Sequence, residues 1–147
     1  MFVVQDILKT KGNEVWSIAP DTPVGEALKL MTEHNIGALL VTEGERPVGV
    51  FSERDLARGL VGYGDFSLNT PVSELMTSPV ITVTPGTTIE ACMEMMTDKR
   101  IRHLPVLKDD TLVGIISIGD VVKGMLTHKD NTIRHLEDYI SGTGYGH

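Results

Sequence analysis

The apolar residues of this chain change their period several times, and the series of changes occurs twice. "VWSIA" (15–19) alternates as a short strand and stops at Pro20. Val24, Ala27, Leu28 and Met31 then recur at the spacing of a helix face. Two apolar runs follow, "GALLVTE" (37–43) and "RPVGVFS" (46–52), around a turn at Gly44, and predict two strands. A second helix is expected from near Asp55. From Val80 the series starts again: "VITVT" before Pro85, then a stripe of Ile89, Cys92, Met93 and Met96. The runs "RHLPVLK" (102–108) and "TLVGIIS" (111–117) flank Asp109-Asp110, and a helix is expected near Asp120.

A shift of about 65 residues superimposes the two series without a gap, Val15–Gly59 on Val80–Gly124. Pro20 falls on Pro85, Thr22 on Thr87, Met31 on Met96, Ile36 on Ile101, Leu39 on Leu104 and Val41 on Val106. Gly49 falls on Gly114, Ser52 on Ser117 and Asp55 on Asp120. The leading segments "VQDIL" (4–8) and "VSELM" (72–76) also correspond. Thr22 is placed to cap the first helix, with Pro23 at its first position. Thr87 and Glu90 have the spacing of a capping box.

Each unit thus reads β-α-β-β-α. Its few strands cannot bury both faces of their sheet alone, whereas two units packed sheet against sheet can. The predicted fold is α/β (α+β), two pseudo-twofold-related repeats with equivalent clefts where they meet. The division expected is residues 1–65, residues 66–127, and a tail over 128–147. In the tail, Ile133, Leu136 and Ile140 suggest a short helix before a flexible glycine-rich end.

Composition narrows the function. A net charge of −7 argues against nucleic acid or an anionic membrane as partner, since either needs a basic face. The single cysteine, Cys92, allows no internal disulfide and fits a reducing compartment. No apolar run approaches the roughly 18 residues of a membrane span. "MFVVQDILKTKG" meets Asp6 too early for a signal peptide, so a cytoplasmic protein is expected.

Two patterns carry candidate chemistry. "GVFSERDLARGL" (49–60) and "GIISIGDVVKGM" (114–125) each set a serine and an aspartate three apart after an apolar run. Such a pair can cap a helix, with the acid at the third helical position. It can also hold an ionised acceptor at a helix N-terminus, facing a cleft. The second pattern is "DKRIRHLP" (98–105), which gathers Lys99, Arg100, Arg102 and His103 in an otherwise acidic chain. Lys99 and Arg100 suit a helix C-terminus, while Arg102 lies just before a strand and has the planar fork that suits phosphate. Cys92, Met93, Met95 and Met96 read as core or interface. His34, His103, His128, His135 and His147 show no metal-binding spacing. No nucleophile, base or metal set is recognisable, so neither an enzyme nor a catalytic cofactor or metal is expected.

The segments "MTDKRIRHLPVLKDDTLVGIISIGDVV" (96–122) and "MTEHNIGALLVTEGERPVGVFSERDL" (31–56), with the repeat itself, resemble the CBS domain, named for cystathionine β-synthase. The resemblance runs from about residue 3 to residue 126 and implies a stand-alone pair of such domains. It implies a regulatory sensor of an adenosine nucleotide, AMP first, with ATP, ADP or NAD as related ligands. Ser52, Asp55, Ser117 and Asp120 would meet the ribose. Arg102 and His103 would meet the phosphates, most directly at the Asp120 site. Ser17 and Ile18 would hold the base of the Asp120 site, and Thr82 and Val83 that of the Asp55 site. Gly37 and Ala38, the uncharged equivalents of Arg102 and His103, are grouped with the base-lining residues. The resemblance also implies a homodimer, with Leu56, Leu60, Val121 and Met125 as candidate surface, and an unidentified effector protein. The competing reading is a protein-interaction module with vestigial clefts.

Overall fold

The computed structural model describes residues 1–62 and 67–128. The expected tail helix on Ile133, Leu136 and Ile140, and the expected boundary at 65/66, lie outside the described residues. The chain forms α1 (Val4–Lys11), β1 (Ser17–Ile18), α2 (Val24–His34), β2 (Ala38–Glu43), β3 (Arg46–Ser52) and α3 (Glu53–Gly62). After a 3-10 turn at Val72–Glu74 come α4 (Ile89–Lys99), β4 (His103–Lys108) and β5 (Thr111–Ser117). A last helix, α5, covers residues 118–128.

The internal symmetry is close. β2 and β4 share one burial pattern along their six residues, and β3 and β5 share one along their seven. Both antiparallel pairs carry an irregularity at the same place, between Val41 and Thr42 and between Val106 and Leu107. β3 and β5 bring the two sheets together. The fold is the expected mixed α/β pair of repeats.

One expected strand is nearly lost. β1 pairs in parallel with β2, and Leu40 N–H donates to Trp16 O at 3.1 Å. "VITVT" makes only an isolated bridge, Val83 to Val106. The residue equivalent to Leu40 is Pro105, which has no N–H, so the corresponding bond to Ile81 cannot form. The expected caps also shift by one residue. Pro23 and Thr88 are the N-caps of α2 and α4, and Thr88 Oγ1 accepts from Ala91 N–H at 3.1 Å. Thr22 and Thr87 instead close turns onto Ala19 and Thr84, and their carbonyls accept from Val72 and Val4.

Those last two bonds cross between the repeats. Val4 N–H donates to Thr87 O and Gln5 N–H to Pro85 O, while Val72 N–H donates to Thr22 O and Ser73 N–H to Pro20 O. The core divides accordingly into one of the second repeat, the second core, and one of the first repeat, the first core. Val4, Ile7 and Leu8 of α1 pack with Val83, Ile89, Cys92, Met96, Leu104, Val106, Ile116 and Val121. Val72 and Leu75 pack with Ile18, Val24, Ala27, Met31, Leu39, Val41 and Phe51. Each leading segment therefore completes the other repeat's core. Gly49 and Gly114 are the contact points. A Cβ at Gly49 would stand 2.5 Å from Met76 Sδ, and one at Gly114 would stand 2.8 Å from Leu8 Cδ2. Glycine at this position lets the crossing segment lie against the strand. Cys92 is buried as expected of a core residue, and burial pushes its thiol up to about 11.

Candidate ligand cleft between the repeats

Both serine–aspartate pairs form capping boxes. Asp55 N–H donates to Ser52 Oγ at 3.3 Å, and Ser52 N–H returns to Asp55 Oδ2 at 2.8 Å. Asp120 N–H donates to Ser117 Oγ at 3.1 Å, and Ser117 N–H to Asp120 Oδ2 at 2.8 Å. The serine ends a strand and starts a helix, and the acid satisfies an orphan donor at the helix start. Beyond the box the two acids differ. Asp55 is 3% exposed, and its Oδ1 accepts the Thr77 hydroxyl at 2.7 Å, with Arg58 Nη1 at 3.9 Å. Asp120 is more open and is met by Lys11 Nζ at 2.5 Å. Burial would raise the Asp120 carboxyl. Hydrogen bonds from Lys11 and Ser117 and the lysine's charge outweigh it and hold the group below the usual carboxylate value.

A cleft of ≈ 580 Å³ opens at Asp55. Its own repeat supplies Gly37, Val50, Ser52, Glu53, Arg54, Asp55 and Arg58. The other repeat supplies Thr77, Pro79, Val80, Ile81 and the run Arg100–His103. An apolar wall of Pro79, Val80, Ile81 and Val50 thus stands with a helix-start carboxylate and four arginines, Arg54, Arg58, Arg100 and Arg102. Apolar surface with a few convergent polar groups is what a small-molecule site needs, and arginines at its rim favour an anionic group.

Arg100 is conspicuous in its backbone. It caps α4 with φ 54°, in the left-handed region, where its counterpart in the first repeat is Asn35 with φ 52°. Asparagine tolerates that conformation better than arginine does. His103 feels the charge of both acids. Burial lowers its pKa first, the Lys11 charge lowers it further, and Asp120 and Asp55 pull the other way.

The structure brings together Ser52, Asp55, Gly37, Arg102 and His103. Arg102 and His103, expected to serve the Asp120 site most directly, are placed near both acids. The Arg102 carbonyl does accept Ile118 N–H beside that site, at 2.9 Å, yet both residues line the Asp55 cleft. Thr82 and Val83 are not among the lining residues. Val83 is buried and bridged to Val106, and the wall is formed slightly earlier, by Pro79 to Ile81. Ser17 and Ile18 lie in β1, with Ser17 exposed and Ile18 in the first core, and Ala38 starts β2 opposite Ser52. Ser117 and Asp120 stay apart from the Asp55 group, in the second capping box. Sequence pattern alone does not point to Thr77, Arg54, Arg58 or Lys11. Thr77 directly follows the leading segment "VSELM", whose repetition was the available signal.

Known proteins agree with this architecture. The CBS domain profile matches residues 4–62 and 72–127, and the chain belongs to the CBS domain family. It is 41% identical to the CBS domain-containing protein CBSX3, mitochondrial, of Arabidopsis thaliana, covering 97% of this chain and 73% of that protein. The crystal structure of the CBS-domain containing protein ATU1752 from Agrobacterium tumefaciens superimposes with a TM-score of 0.79 at 43% identity, covering 84% of this chain and 98% of the other. PAE2072 from Pyrobaculum aerophilum, solved in complex with AMP, superimposes with a TM-score of 0.70 at 28% identity, covering 81% and 89%. Among the described residues, no helix is long and apolar enough to cross a membrane.

Proposed function

We propose that the chain is a regulatory sensor that binds an adenosine phosphate reversibly in the Asp55 cleft. The observation that carries this reading is the composition of that cleft. A helix-start carboxylate hydrogen-bonded by the Thr77 hydroxyl lines one cleft with Arg100, Arg102, His103 and an apolar wall. Asp55 Oδ1 accepts one hydroxyl in the present arrangement, and a carboxylate oxygen can accept about two. The ribose hydroxyls would use that capacity, the wall of Pro79, Val80 and Ile81 would take the base, and the arginines the phosphate. AMP is the first candidate, supported by its presence in the similar PAE2072, with ATP, ADP and NAD as related ligands.

The same reading makes the protein a binding module rather than an enzyme, acting in the cytoplasm as a homodimer on an effector protein. Support for the dimer comes from α3 and α5, where Leu60, Val61, Val122, Met125 and Leu126 are exposed. Val121, expected on that surface, is fully buried in the second core, because the α5 face that meets α1 includes it. Light scattering at micromolar protein should give twice the chain mass, and a monomer would count against this part of the reading.

Ligand binding to the folded state alone raises the melting temperature by mass action. AMP at saturating concentration is expected to raise it by a few degrees, and GMP by less. An unchanged transition at millimolar concentrations of every adenosine compound would overturn the sensor reading.

A further inference from the structure

The two aspartates are held by different chemistry. In the first repeat, Thr77 N–H and C=O pair with Val50 at 2.9 and 3.0 Å, and its hydroxyl donates to Asp55. The equivalents of Val50 and Asp55 are Ile115 and Asp120. One ammonium serves both: Lys11 Nζ donates to Ile115 O at 2.8 Å and to Asp120 Oδ2 at 2.5 Å. The difference arises in the leading segments. The second stops as a three-residue turn, whereas the first continues as the eight-residue α1, whose last residue is Lys11. α1 is fixed in place by Val4, Ile7 and Leu8 in the second core and by Leu8 against Gly114. A packed helix delivers the ammonium, although the lysine itself is exposed.

We infer that Lys11 is a built-in occupant of the Asp120 site, so that the chain offers one adenosine-phosphate site, at Asp55, and Lys11 is the residue that decides this. The inference rests on the nucleotide-binding reading above. A diol approaching Asp120 has to displace a charge-assisted hydrogen bond with a neutral one, which is roughly half as strong. The compensating phosphate contacts are also poorer. Arg58 keeps a cation in its equivalent Lys123, but the positions of Arg54, Arg100, Arg102 and His103 are occupied in the opposite repeat by Gly119, Asn35, Gly37 and Ala38. The Thr77 hydroxyl, by contrast, is neutral and can reorient when a ligand enters the Asp55 cleft.

Calorimetric titration with AMP tests this. The wild-type chain is expected to bind one AMP and Lys11→Met two, while Lys11→Arg, which keeps the charge, stays at one. In the Lys11→Met background, Asp120→Ala should remove the added site. Two equivalents bound by the wild type, or one bound by Lys11→Met, would overturn the inference. A second readout needs no nucleotide. Carbon-detected NMR of the Asp120 carboxyl should show a higher pKa in Lys11→Met than in the wild type. His103 of β4 and the Ser117 N–H, which also face Asp120, are the same in both proteins. Equal titration in the two proteins would mean that the ammonium contact is not made in solution, and the inference falls. If neither protein binds AMP, the sensor reading falls by itself and the carboxyl titration alone decides the role of Lys11.

Discussion

The Asp55 and Asp120 sites descend from one sequence pattern and differ in what reaches them from across the molecule. Both acids close a capping box with a serine, and both are approached by the leading segment of the opposite repeat. At Asp55 that segment brings a threonine, and the opposite repeat adds Arg100, Arg102 and His103. At Asp120 it brings a lysine. Local sequence can keep the cap and the cleft position intact in both repeats. The surroundings of each acid are then set by residues 22 to 109 positions away in sequence, where the repeats have diverged.

The largest effect is expected from removing Arg102, the proposed phosphate contact. A hydrogen bond to a charged group contributes roughly 1.5–3 kcal/mol, about ten- to a hundred-fold in affinity. Arg102→Ala should therefore weaken AMP binding by about that factor in calorimetric titrations, while adenosine, which lacks the phosphate, should change little. Equal losses for both ligands would show that Arg102 shapes the cleft rather than binding phosphate.

The next comparison is between the two glycines under the crossing segments. Gly49→Ala forces a Cβ against Met76 Sδ and within 3.1 Å of the Thr77 carbonyl, whereas Gly114→Ala meets only the tip of Leu8. Overpacking of this kind costs about 1–3 kcal/mol. Denaturant unfolding should show Gly49→Ala as the more destabilising of the two, because backbone moves less readily than a leucine methyl. The reverse order would indicate that the Leu8 contact is the tighter crossing.

Arg100 offers a smaller test. Replacing it with the residue of the other repeat, Arg100→Asn, should relieve a left-handed backbone position that costs about 1 kcal/mol. Thermal melting should rise slightly while AMP affinity falls. A loss of stability would mean that the Arg100 side chain contributes to the fold.

The smallest expected effects are in pH dependence. The Asp120 carboxyl is held below its usual value, so the unfolded chain takes up that proton first. Its stabilising contribution is present above the ordinary carboxylate pKa and is lost as pH falls through the folded value. Lys11→Met should flatten this part of the acid limb. His103 is also lowered, so stability should decline as pH falls from the ordinary histidine range toward its folded pKa. Bound phosphate beside His103 should shift that titration upward, which proton NMR of the imidazole can follow. No shift on AMP addition would place the phosphate away from β4.

Much of this fold is visible in one sequence because the repeat is nearly gap-free. β2 with β3 and β4 with β5 fall where the apolar runs place them, and their boundaries differ by the same offset throughout. The exchange of leading segments was not legible. "VQDIL" and "VSELM" show an apolar face, but nothing local says which core that face enters. The shortened strand at Val83 was legible in principle, since Pro105 removes the donor that Leu40 supplies in the first repeat. At the candidate cleft, Ser52, Asp55, Arg102 and His103 stand out in sequence because their chemistry is written in their residue types. Thr77 and Lys11 act only through long-range contact, so periodicity and spacing gave no hint of their partners.

A crystal structure of the wild-type chain grown with AMP tests the account most directly. It should show the nucleotide in the Asp55 cleft, ribose toward Asp55 and Thr77, phosphate beside Arg102, and Lys11 still on Asp120. Nucleotide bound at Asp120 with Lys11 displaced, and the Asp55 cleft empty, would contradict it.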